Sequence, residues 1–223
     1  MSERIVLKDF PVEISEKSLE VFVSRRHLHK VDLKAAIAAA REIAKPRAII
    51  KWTDASVEAG NLVRVGSAEF RSVLLADKLK EQQRVLLIVV TAGDEIKDCD
   101  RISNPLLRDA LTGAVLGAAM EYVFRFVGEN FKLEEGGMLQ PGSLPDWPIE
   151  NNHALIAEIG GVQEDLGITL NEKGYMNPWN SCSGIYFAEA GGYKNCMLCK
   201  KLDCIGRRAE FNQEEYTRIF GEE

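Results

Sequence analysis

Cys196, Cys199 and Cys204 form a C-x-x-C-x4-C run near the end of this 223-residue chain, and Cys182 lies a short loop upstream. Thiolates at C-x-x-C spacing can close on one soft cation, and further cysteines nearby can complete a tetrahedral sulfur site for zinc or an iron-sulfur cluster such as 4Fe-4S. The spacing points first to a metal centre on Cys182, Cys196, Cys199 and Cys204, with Cys182 as the choice for fourth ligand. A water, a substrate atom or another protein fills that position if Cys182 turns away. Lys194, Lys200, Lys201, Arg207 and Arg208 surround the run with only Asp203 opposing, although the whole chain carries a formal net charge of -6. Positive neighbours favour thiolate over thiol and offset the excess charge of four thiolates on one centre. Two readings compete. One is reduced thiols without a metal, and the other is a dithiol pair at Cys196 and Cys199, which Cys204 and the C-terminal position weaken.

Length and composition set the frame for that chemistry. With 46% apolar and 28% charged residues the chain is long enough to bury a core without help from a metal. A sequence pI near 5.3 argues against nonspecific nucleic-acid binding. The N-terminal residues lack an apolar signal core, and clustered cysteines do not resemble an extracellular disulfide framework, so the expected location is cytoplasmic. Residues 110–120, apolar apart from Thr112, fall short of the about 20 residues of a membrane span and read as a buried helix. No phosphate-loop, dinucleotide, zinc-protease or esterase motif occurs. Of three histidines, His27 and His29 read as part of a solvated basic turn and His153 as surface or a local cap, which leaves a Cys–His nucleophile little support.

The elements that must position the cysteines follow from periodicity and breakers. Strands are expected at 5–7, 48–52, 62–65, 168–170 and 184–188, and helices at 32–44 with Asp32 as cap, 70–80 and 150–159. Residues 85–91 read as the central strand, because an apolar residue at every position requires cover on both faces. The longest helix starts at Ser103 with Pro105 in its first turn and runs to about Val127. Along it Gly113, Ala114, Gly117 and Ala118 form a small-residue stripe, read as tight core packing. Glu121 lies just beyond, as a solvated residue or a carboxylate facing a cleft. Residues 138–148 hold three prolines and read as an ordered, functional loop with Trp147 as anchor.

Together these features carry a resemblance. Pro-Gly-Ser-Leu-Pro-Asp-Trp-Pro at 141–148, Ser-Gly-Ile-Tyr-Phe at 183–187 and the closing Asn-Cys-x-x-Cys-x4-Cys-x-x-Arg-Arg resemble short, corrinoid methyltransferase-associated proteins related to the activation domain of vitamin B12-dependent methionine synthase. The resemblance implies an α+β fold, a twisted and mainly antiparallel sheet with flanking helices, plus a cysteine-rich C-terminal metal-binding tail. It also implies a division into a lobe at 1–60 of the same domain, an activation-domain-like core at 61–180 and the tail at 181–223. The implied role is reductive reactivation of a partner corrinoid protein through the cysteine-bound metal, an iron-sulfur cluster or alternatively zinc. The alternative role is a noncatalytic interaction module with a structural zinc clip. S-adenosylmethionine is the ligand the family implies. Here the stretch ahead of the Pro-Gly turn lacks the arginine that grips it and the tyrosine that follows the glycine. What carries over by position is Glu121, Pro141, Gly142 and Ser143. The implied partner is a corrinoid protein or corrinoid methyltransferase, with a second copy of the chain as a further candidate, and neither nucleic acid nor membrane.

Overall fold

The computed structural model describes residues 4–28, 31–143, 146–204 and 207–221; His29 lies outside them. The sheet is organised around β5 (Arg84–Thr91), in which every residue after Arg84 is buried. It pairs antiparallel with β2 (Arg47–Glu58) on one side and β9 (Ser181–Ala188) on the other. β1 (Arg4–Lys8) and β3 (Leu62–Val65) occupy successive halves of the far edge of β2, β4 (Ala68–Arg71) follows β3, and β6 (Gly136–Leu139) closes the other end against β9. All these pairings are antiparallel, so hairpins and helices, rather than parallel crossovers, carry the chain between strands. A separate two-stranded ribbon joins β7 (Thr169–Leu170) to β8 (Met176–Asn177).

Seven helices complete the described fold: α1 (Glu16–Arg25), α2 (Leu33–Ile43), α3 (Val73–Leu79), α4 (Pro105–Phe131), α5 (Asn152–Ile159), α6 (Val162–Leu166) and α7 (Gln213–Phe220). Val85, Leu87 and Val89 pack with α3 and α5, while Leu86, Ile88 and Val90 pack with α4. Cover on both faces is thus present, as the apolar run in β5 demands; each such side chain contributes about 1.5–3 kcal/mol on burial. Asp32 caps α2 by accepting from the Ala35 amide at 2.9 Å. α4 is long and apolar enough to cross a membrane by length and composition, but Leu111, Val115, Ala119, Val123 and Val127 are fully buried against protein.

The structure departs from the expected elements in several places. Residues 68–71 form β4 and only 73–79 are helical, because Ser72 caps α3 by accepting from the Leu75 amide at 2.9 Å. β6 is an edge strand reaching Leu139, two residues into the stretch read as loop. α1, α6 and α7 have no counterpart among the expected elements. β9, the start of the segment assigned to the tail, is an inner strand of the sheet.

The tail is fastened by α7. Arg218 bonds both oxygens of Asp77 on α3, at 2.8 and 2.6 Å, and also Glu215; Lys78 bridges Glu189 at 2.9 Å and Glu215 at 3.2 Å. Hydrogen bonds from Arg218 hold Asp77 and Glu215 at about 2, below ordinary values of 3.8 and 4.5, against the opposing effect of burial. Groups with depressed folded pKa contribute stability that is present above the ordinary value and lost as pH falls through the folded one. Amide exchange followed from pH ~5 down to pH ~2, corrected for intrinsic rates, should therefore show α7 losing protection before β5 does. Loss of both together would mean that the ion pairs do not set the tail's attachment.

Candidate functional site

Where β6 ends, the chain enters the proline loop beside β9, and the register decides what meets there. Leu139 pairs with Ile185, so Gln140 emerges next to Gly184 and its side chain reaches back to Cys182. A Cβ on Gly184 would lie 2.2 Å from the Leu139 carbonyl oxygen, so the close crossing needs glycine there. The loop then turns at Gly142, whose φ of +78° and whose contact with Ile149, 2.7 Å from a built Cβ, both exclude a side chain. Its amide donates to the Trp147 carbonyl at 2.7 Å. Trp147 is buried edge-on against Phe70, and Asp146 accepts from the Leu74 amide at 3.0 Å and from the Ser72 hydroxyl. The loop is thereby pinned to the N-terminus of α3.

Between this loop, β9 and α4 lies a cavity of about 500 Å³, within the range of small-ligand sites. Its floor is the small-residue stripe of α4. Gly113 and Gly117 face solvent there; a Cβ built on Gly117 would meet no other part of the described chain within 4 Å, and one on Gly113 only Asn180 Oδ1 at 3.8 Å. Ala118 is buried and Ala114 packs on the core, as expected of the stripe, whereas its two glycines do not serve tight packing. Each mid-helix glycine costs about 1 kcal/mol relative to alanine, and no contact among the described residues requires either one.

The walls are mixed. Leu116, Met120, Ile149 and Met176 supply apolar surface, and Gln140, Ser143, Ser181 and Ser183 supply neutral polar groups. Ser183 donates to Asn152 Oδ1 at 2.6 Å, and Asn152, itself buried, donates to the Gly174 carbonyl at 2.9 Å. Pro141, Gly142 and Ser143 all line the cavity. Glu121 does not join them. It is exposed, about 100° round α4 from Met120, and faces a different hollow with Ser15 and Arg41.

The cysteines are divided between cavity and tail. Cys182 is on the cavity wall, accepting from Gln140 Nε2 at 2.8 Å. Burial pushes its thiol up to about 12, with Arg208 and Gln140 acting more weakly in the opposite sense. Cys196 lies on the 3-10 turn Asn195–Leu198, Cys199 follows it, and Cys204 is exposed. Their loop is closed by Arg207, whose guanidinium donates to the carbonyls of Cys196, Cys199, Lys201 and Ala209 at 2.6 to 3.0 Å. Among the described residues no three histidine, cysteine or acidic side chains are grouped so as to hold a metal ion. The four sulfurs are therefore not gathered as a four-thiolate centre in this arrangement.

The tail nevertheless contributes to the cavity, which spacing alone did not reveal. Asn195 Nδ2 donates to Ser143 Oγ at 2.8 Å, and Arg208 lines the cavity wall while its amide donates to Cys196 Sγ at 3.4 Å. In native protein at pH 8, we expect a disulfide reagent to modify Cys204, Cys199 and Cys196 rapidly and Cys182 slowly, since a thiol at about 12 is almost wholly protonated there. Peptide mapping of the labelled sites checks this; rapid labelling of Cys182 would contradict the description of its wall.

No protein-family model matches the chain, and no curated protein matches it. Among solved structures, the MetH reactivation domain, in its crystal structure bound to AdoHcy, is similar over 87% of this chain and 80% of that one, with a TM-score of 0.62 at 15% sequence identity. The likeness establishes the fold: this chain has an α+β architecture, a mainly antiparallel sheet with flanking helices, of the same kind as the MetH reactivation domain.

Proposed function

We propose that this chain is an accessory protein of cobalamin-dependent methyl transfer, which docks on a partner corrinoid protein or corrinoid methyltransferase and assists its reductive reactivation. In this reading the cavity over α4 holds an S-adenosylmethionine-type ligand. The observation that carries it is the floor at Gly113 and Gly117, where helix stability is given up and no side chain of the described residues fills the space. The AdoHcy in the MetH reactivation domain is the thioether left when adenosylmethionine gives up its methyl group, so a neighbour of the same fold supports the ligand class. The ligand would supply the methyl group, and a reductant outside the chain the electron. The chain's own residues bind and orient: Leu116 and Met120 shelter the apolar part of the ligand, and the pinned proline loop fixes its direction.

A docking face is suggested beside the cavity. Trp179 is 74% exposed and stacks on Tyr175 with ring centroids 5.7 Å apart. Both flank Met176 and Ser181 of the cavity wall. An aromatic pair held open to solvent is the kind of anchor that interfaces bury.

Calorimetric titration with adenosylmethionine and AdoHcy tests the ligand. Saturable binding is expected for the natural chain, and Gly117→Leu should weaken it by at least about 10-fold while thermal stability is held or raised, because leucine favours helix over glycine by most of 1 kcal/mol. Unchanged binding by that variant would place the ligand elsewhere. Trp179→Ala should leave ligand affinity intact and lower the recovery of methyl transfer by an oxidised partner; equal recovery would remove the docking role.

A second reading gives the tail a metal, an iron-sulfur cluster or zinc, on Cys196, Cys199 and Cys204. It is favoured by the closed loop that Arg207 makes of their carbonyls, and it requires the three sulfurs to draw closer than they lie here. On elemental analysis of anaerobically prepared protein, Cys182→Ser should retain the metal content of the natural chain while Cys199→Ser loses it. Loss with Cys182→Ser would restore Cys182 as a ligand.

A further inference from the structure

Arg208 is the only charged side chain on the wall of the cavity among the described residues, and no carboxylate among them forms an ion pair with it. It arrives from the tail, far along the chain from the proline loop. Three contacts keep that part of the tail in place: Asn195 on Ser143, the Arg208 amide on Cys196 Sγ, and Arg207 on the carbonyls around it. The remaining wall is neutral. A cavity with one unpaired guanidinium, several hydroxyl and amide groups and an apolar side matches a ligand that carries one anionic group at one end of a larger body.

We propose that Arg208 is the specificity-determining residue of the cavity and binds a carboxylate of its ligand, so that the cysteine tail completes a site whose other walls come from the sheet and α4. This rests on the ligand reading given above and names the part of the ligand that is recognised. A carboxylate suits a lone planar fork, which meets its two oxygens in parallel hydrogen bonds. A phosphate, with more charge, is ordinarily met by several cations, and the described wall offers no second one. The position also explains an otherwise idle feature of the fold: the ion pairs of Asp77, Lys78, Glu215 and Arg218 fasten α7 to α3 and so hold in place the segment that delivers Arg208.

Two nucleosides separate the claims. AdoHcy carries an amino-acid carboxylate, and 5′-methylthioadenosine keeps the adenosine and sulfur but lacks it. For the full chain, equilibrium titration should show AdoHcy binding at least about 10-fold tighter than methylthioadenosine. Arg208→Ala should weaken AdoHcy about 10- to 100-fold and leave methylthioadenosine within about 2-fold, and Arg208→Lys should recover part of the loss, since it restores charge without the fork. Arg208 is exposed, and thermal melting of each variant confirms the fold. If Arg208→Ala binds AdoHcy as the natural chain does while both nucleosides still bind, the carboxylate assignment falls and the ligand reading stands. If neither nucleoside binds the natural chain, both fall together.

Discussion

The burial of β5 on both faces is the constraint from which the rest follows. A strand with no solvent-facing side chain must be covered twice, and the chain supplies α4 on one face and α3 with α5 on the other. That cover fixes α4 beneath the strands, and pairing fixes β9 beside β5 and β6 beside β9. Once these are set, the end of β6, the start of β9 and the middle of α4 converge on one place. The cavity is a consequence of that convergence. Its polar groups come from strand ends and a loop, where side chains are held by a rigid sheet but remain accessible.

Stability and function are balanced differently in the body and the tail. The body is held by apolar layers, with glycines placed at Gly142 and Gly184 for close approach and at Gly113 and Gly117 for room. The tail has little core of its own. It is held by Leu198 and Ile219, which are buried in the core of the body, and by charge: Arg218 and Lys78 at α7, and Arg207 on the carbonyls around the cysteine loop. The charged part of that attachment is screened by salt and titratable, unlike the apolar layers of the body. A segment that completes a ligand site from there can respond to the ligand that it helps to hold.

Much of the body is legible in the sequence because its signals are local. The apolar run of β5, the Asp32 cap and the Pro105 start each depend on neighbours within a few residues, and the three prolines with Trp147 mark an ordered loop. The elements that sequence reasoning misses have weaker local signals. α7 does carry an asparagine cap, Asn212 accepting from the Glu215 amide at 3.0 Å, but its apolar residues, Tyr216, Ile219 and Phe220, cover one short face. Residues 70–71 read as the start of a helix because Phe70 continues the apolar spacing across the Ser72 cap. The site is legible only in part. Pro141, Gly142 and Ser143 stand where the motif puts them, whereas the glycine stripe looks like packing because spacing does not say whether anything faces it. Convergence of the four sulfurs is also a tertiary matter. Cys182 belongs to an inner strand whose register turns it toward Gln140, and no count of residues between cysteines encodes that register. Arg208 reads as part of the charge around the thiols, and its place on the cavity wall depends on the tail folding back over the proline loop.

The central proposal is that a small ligand sits on the open floor of α4. Backbone NMR of the full chain during addition of AdoHcy tests it most directly, with the amides of Gly113 and Gly117 on the floor and of Gly142 in the loop as reporters. The account predicts saturable shifts concentrated at those glycines and at Ser181 and Ser183, with β1 and α2 unmoved. Shifts confined to another surface, or none at saturating ligand, would contradict it.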